Sequence, residues 1–113
     1  MRYLLDTHTL LWYFEDSGKL SKEAEDAIDN PKNAIYISPA TLWEIAIKVG
    51  LGKLDVAFDA LLAQVEQAGF IVLQIKNAYL QELIVLSQIH KDPFDRLLIT
   101  TAKIEEMGLI TTD

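Results

Sequence analysis

The chain has no cysteine, so it cannot carry a disulfide framework or a thiolate metal site. It is short of positive charge, with 10 Lys+Arg against 17 Asp+Glu and a net charge of −7. That deficit argues against charge-driven, nonspecific binding to nucleic acid, which needs a positive excess facing the phosphates. It leaves room for a nuclease whose negative charge is gathered in a metal site. No window approaches the roughly 20 uncharged apolar residues of a membrane span. Asp6 interrupts the first apolar run too early for a signal-peptide core, so a reducing cytoplasm is the expected location. The three prolines and five glycines fall between apolar segments, and no linker, repeat or low-complexity stretch separates them.

What remains is ordinary globular composition. The 113 residues are 50% hydrophobic and 24% charged, which suits one domain, 1–113, with a core of its own. The charge is uneven. Residues 31–54 carry Lys32, Lys48 and Lys53 against Glu44 alone.

Apolar segments alternate with helical patterns. Residues 1–5, 34–37, 70–75 and 109–112 read as short strands. Ser21 opens a helix to about Ile28, which Asn30-Pro31 ends. Ser38-Pro39 starts another, running to Val49 and stopping at Gly50. Asp55 is expected to cap a helix over about 56–68, and Asn77 one to about Gln88. Asp92-Pro93 begins a last helix reaching Met107, with Gly108 as its stop. For residues 9–14 periodicity does not choose between helix and turn. The strands lack polar alternation, so they predict an α/β fold: a parallel sheet covered on both faces, a three-layer sandwich with four strands. Right-handed crossovers put every strand's carboxyl end on one edge, where sites in such sheets lie.

Four acids converge on that edge in this reading. Asp6 follows the first strand and Asp113 the fourth. Glu44 lies in the helix after the second strand, and Asp95 in the first turn of the helix before the fourth. Two unit charges about 4 Å apart cost roughly 4 kcal/mol at an effective dielectric of 20. Several such pairs rival the roughly 5–15 kcal/mol stability of a domain. Either the acids are partly protonated or a divalent cation sits among them, and oxygen-only ligands select Mg²⁺ or Mn²⁺. Each acid also has a plainer reading. Glu44 stands four residues before Lys48, the favourable order for a helix ion pair, although the apolar surroundings on its helix argue against free solvation. Asp95 complements a helix dipole, Asp6 suits a turn, and Asp113 suits a frayed end.

Four segments carry a resemblance: Leu-Leu-Asp-Thr-His-Thr-Leu-Leu-Trp at 4–12, Ser-Pro-Ala-Thr-Leu-Trp-Glu-Ile at 38–45, His-Lys-Asp-Pro-Phe-Asp-Arg-Leu-Leu-Ile at 90–99 and Leu-Ile-Thr-Thr-Asp at 109–113. Together, in this order and spacing, they resemble the PIN domain, and more closely the VapC-like toxin ribonucleases. The resemblance covers essentially the whole chain. It implies a Mg²⁺- or Mn²⁺-dependent endoribonuclease acting on RNA, homodimeric, and paired with a cognate antitoxin protein. It carries the metal-site acids over to Asp6, Glu44, Asp95 and Asp113, and Thr111 matches the threonine of the last motif. Members of the family continue past the fourth acid into another helix and strand, whereas this sequence stops at Asp113, so a domain lacking its last edge strand is expected.

Lys48 and Arg96 stand beside acids in helical register and are candidates for contact with RNA phosphates, or for plain ion pairs. His8 and His90 are expected to pack rather than catalyse. Trp12 and Trp43 could stack on a base, but core packing is the expectation for both. Residues 42–51 and 56–65 offer apolar surface for a partner helix, for a homodimer or for the core. Two rival readings stay open: a PIN-fold binding module without activity, and a phosphoacceptor receiver domain. The receiver needs an Asp at the end of its third strand, where this chain has Gln74-Ile75-Lys76-Asn77.

Overall fold

A computed structural model describes residues 1–86 and 92–111. Ten elements follow one another: β1 (Arg2–Leu5), α1 (Thr7–Glu15), α2 (Lys22–Asp29), β2 (Ala34–Ile37), α3 (Pro39–Gly50), α4 (Phe58–Gln67), β3 (Ile71–Val72), α5 (Asn77–Val85), α6 (Pro93–Glu105) and β4 (Gly108–Ile110). The strands form one sheet in the order β3-β2-β1-β4, and each neighbouring pair is parallel. Tyr3 lies opposite Ile35 on one side and Gly108 on the other. The α/β parallel sandwich is therefore the fold, and residues 9–14 belong to helix α1.

Strand alternation divides the core into two layers. Leu5, Ile35 and Ile37 face α1 to α4, where they pack with Leu10, Leu11, Ile28, Ile45, Leu61 and Val65. Leu4 faces the other way, against Leu98 and Ala102 of α6 and Met107. The central strand β1 is thus apolar at consecutive positions because each of its faces meets helices. The edge behaves differently. β3 is two residues long, and Ile71 and Val72 are both exposed, so the strand expected over 70–75 is neither that long nor covered on both faces.

Several helix ends differ from the sequence expectation. α4 starts at Phe58 after Ala57, with no side-chain cap, so Asp55 does not cap it. Asn77 is the first residue of α5, and no side chain caps that helix either. Packing of Leu61, Val65 and Tyr79 into the interior replaces the missing caps, as tertiary burial supplies most helix stability. Gly108 does not end α6. Glu106, with φ 55°, turns the chain, and Gly108 opens β4. A Cβ at Gly108 would stand 2.8 Å from two ring carbons of Tyr3, so any larger residue there would force the ring to shift.

At the far end of α6, Glu105 gathers three partners. Lys76 donates to its Oε2 at 2.8 Å, the Tyr79 hydroxyl donates to the same oxygen at 2.5 Å, and Arg2 lies 3.6 Å from Oε1. Tyr79 is 1% exposed, and burial with this hydrogen bond pushes its hydroxyl up to about 12. The hydrogen bonds from Lys76 and then Tyr79 hold the Glu105 carboxyl below its ordinary range.

Two outcomes follow for stability. Glu105→Ala should cost about 1–3 kcal/mol in urea unfolding, because a buried hydroxyl loses its acceptor. Because the folded Glu105 titrates lower than the unfolded one, its contribution is complete above the unfolded carboxylate range and is lost as pH falls through the folded value. The stability gap between the unaltered chain and Glu105→Ala should therefore narrow on acidification. A constant gap across that range would show that the cluster is not ionic. Gly108→Ala should lose about 1–3 kcal/mol through overpacking on Tyr3, and an unchanged melting temperature would contradict that contact.

Candidate active site

Asp6 is the residue that leaves β1. Its N–H donates to the Ile110 carbonyl at 3.1 Å, where β4 ends. Its Oδ1 accepts the N–H of Thr9 at 2.9 Å and so caps α1. The Thr9 hydroxyl donates to the same Ile110 carbonyl at 3.1 Å. One aspartate therefore joins the ends of two strands to the start of a helix. Asp6 stands at the carboxyl edge as read, but as an extended helix cap and not as a turn residue.

Glu44 comes to the same place from α3. Thr7, next to Asp6, donates its hydroxyl to Glu44 Oε1 at 2.6 Å. Lys48, one turn along α3, donates to Oε2 at 2.8 Å. Glu44 is 9% exposed, so the expectation that it is not freely solvated holds. The helix ion pair also exists. A surface pair of this spacing contributes only about 0.3–0.5 kcal/mol. For a carboxylate this deep, the pair matters because it offsets a charge that would otherwise stand buried and unpaired.

Asp95 is exposed and lies in the first turn of α6, where Asp92 caps the helix by accepting the N–H groups of Phe94 and Asp95 at 2.8 and 3.3 Å. The start of α6 stands beside α3. The Phe94 ring meets the Trp43 ring edge-on, with centroids 5.3 Å apart and planes at 74°. These two aromatics are the immediate predecessors of Asp95 and Glu44. Asp113 lies outside the described residues. Among the described residues, no three or more of His, Asp and Glu stand close enough together to hold a metal.

Arg96 turns away from solvent, and its Nη2 donates to the Leu83 carbonyl of α5 at 3.2 Å. Thr111 follows β4 and is exposed. His8 stacks on Trp12 with ring centroids 5.8 Å apart, which agrees with packing, while His90 lies outside the described residues. Trp12 is half-buried, and Lys19 sits over its ring. Trp43 overturns its expectation: the side chain is not in the core but 62% exposed. Both apolar stretches are split: 56–65 sends Leu61 and Val65 into the core and leaves Leu62 exposed, while 42–51 sends Ile45 into the core and leaves Trp43, Ile47 and Leu51 outside.

Sequence reasoning missed Thr7 and Thr9. Both are buried, and both spend their hydroxyls on the site's frame. The available signal was a pair of β-branched hydroxyl residues directly after a capping acid. Their partners, Glu44 and Ile110, are distant in sequence and could not be read from it.

No curated protein sequence matches the chain. Among solved structures, it is similar to VapBC2 from Rickettsia felis bound to a DNA fragment from the promoter, with TM-score 0.69 and 20% identity, covering 100% of this chain and 89% of that one. It is also similar to a toxin–antitoxin complex from Klebsiella pneumoniae, with TM-score 0.62 and 23% identity, covering 96% and 84%. At these identities the likeness establishes the fold. The family model described as PIN domain matches residues 3–113, and the chain belongs to the PIN domain family.

Proposed function

We propose that this protein is a divalent-metal-dependent endoribonuclease and the toxin of a toxin–antitoxin pair. The observation that carries the reading is the Thr7–Glu44 hydrogen bond, which brings the acid of α3 against the residue following Asp6 at the carboxyl edge of a PIN-family sheet. Asp95 enters from α6, whose first turn is fastened to α3 by Phe94 and Trp43. The reading adds Asp113 as a fourth acid by family resemblance.

The donor chemistry suits Mg²⁺ or Mn²⁺. The side chains are carboxylates, and cysteine is absent from the chain. Asp6, Glu44, Asp95 and Asp113 would hold the ion. It would supply positive charge for the phosphoryl oxygens and acidify a coordinated water. The chain's own residues do the positioning. Thr9 orients Asp6 through its backbone N–H. Thr7 and Lys48 fix the two oxygens of Glu44, and Lys48 offsets its charge. Without such offsets, gathered carboxylates would repel the phosphate they must approach. In the reaction water adds to phosphorus in line, one P–O ester bond breaks, and the products are a phosphomonoester and a free hydroxyl.

The same reading includes an antitoxin protein and a homodimer. Exposed Ile47 and Leu51 of the α3 end and Ile84 and Val85 of α5 support protein contact, because large aliphatic side chains at such positions favour burial. Among the described residues no helix is long and apolar enough to cross a membrane.

Purified protein should cleave single-stranded RNA when Mn²⁺ is added and lose that cleavage on chelation, while Asp6→Asn should reduce the rate at least 100-fold, the scale of losing a charged group at a reacting centre. Equal cleavage by the variant would refute the site, and no cleavage by either protein would leave the non-catalytic binding module. Thr7→Val should fold with a loss of about 1–3 kcal/mol. It should also raise the Mn²⁺ concentration for half-maximal cleavage roughly 10- to 100-fold, as loss of a ligand's supporting partner does. An unshifted Mn²⁺ dependence would reduce Thr7 to a purely structural role.

A further inference from the structure

We infer that Trp43 is a stacking platform for an unpaired base of the substrate RNA, held in position by Phe94. The inference rests on the endoribonuclease reading and goes beyond it by naming a neutral contact that holds the nucleotide beside the acids.

Trp43 is 62% exposed, although tryptophan ordinarily buries most of its large surface. The edge-to-face contact with half-buried Phe94 joins two different helices and gives the indole one packing partner. Such a contact covers at most one of the two indole faces. The placement comes from the ring contact, which joins α3, the helix that carries Glu44, to the first turn of α6, which carries Asp95. A phosphate brought to those acids carries its neighbouring bases past this ring pair. Trp12 cannot serve in the same way, since His8 stacks on it and Lys19 lies over it.

Charge gives the independent reason. A chain of net charge −7 gains little from general phosphate attraction. Lys48 is already committed to Glu44, and Arg96 to the backbone of α5. A contact that does not depend on charge would then add to whatever hold the bound ion has on the phosphate. Stacking on an exposed aromatic is such a contact, and it accepts any base because every base has a π-face. Exposed aliphatics such as Ile84 and Val85 offer no comparable surface to a nucleotide.

The test uses the full chain carrying Asp6→Asn, so that RNA stays intact, and Trp12→Phe, so that Trp43 is the only indole. Titration with a short single-stranded oligoribonucleotide should quench the indole fluorescence saturably. Adding Trp43→Ala should weaken binding, measured with labelled RNA, roughly 10- to 100-fold, whereas Trp43→Phe should retain most of it. In the cleaving protein, Trp43→Ala should raise KM by a similar factor with a smaller change in kcat. An abasic nucleotide walked along the oligomer should reproduce the loss at one position and should add nothing to Trp43→Ala.

Unaltered RNA affinity and KM in Trp43→Ala, with cleavage intact, would overturn the stacking role and leave the nuclease reading standing. Absence of RNA binding and of cleavage by the unaltered protein would overturn both. Fluorescence that responds to protein concentration and not to RNA, with dissociation of a dimer in Trp43→Ala by sedimentation, would assign the indole to a second copy of the chain.

Discussion

A nearly buried carboxylate needs its charge answered on the spot, and Glu44 has that need met from two directions. Thr7 supplies a hydroxyl from α1, and Lys48 supplies an ammonium from the next turn of α3. The cost of an unpaired charge at this depth would exceed what any single helix contact returns, so the arrangement holds α1 and α3 in one relation. Asp6 is then placed without further freedom. Its own backbone closes on Ile110, and its side chain closes on Thr9. The central strand, its outer neighbour and two helices all meet at this one corner.

The corner also explains an apparent conflict in the charge. An acidic protein is a poor general partner for RNA, yet the acids are the part that a phosphoryl-transfer site requires. Lys48 offsets the deepest of them from within the protein. Asp95 stays exposed in the first turn of α6, where charge is cheap to hold. Under the proposed function, recognition of RNA would lean on contacts that do not depend on net charge. The exposed Trp43 indole, in edge-to-face contact with Phe94, is proposed as a contact of that kind.

The opposite end of the molecule has a different logic. Glu105 collects Lys76, Tyr79 and Arg2 where α6 ends and β1 begins. These groups lie at the amino edge of the sheet, away from Asp6, and they serve the packing of α5 and α6. Ionisable clusters occur at both edges, but only the carboxyl edge combines acids with helix starts and strand ends. That difference follows from parallel topology, which gives the two edges unequal chemistry.

Local chemistry made much of this legible. Ser21 and Ser38-Pro39 start their helices as read, because a cap acts within a few residues of itself. The four apolar runs are strands, and their lack of alternation correctly implied cover on both faces of the central ones. Burial patterns of α4 and α5 were less legible, because Asp55 and Asn77 look like caps while packing of Leu61 and Tyr79 decides where those helices begin. The sequence by itself determined the parallel α/β class, since it follows from the order of short-range patterns. Only the tertiary structure decided that Thr7 reaches Glu44, that Gly108 passes under Tyr3 and that Trp43 stands in solvent against Phe94. Each of these is a contact between residues remote in the chain, and its energy exists only once packing has brought them together.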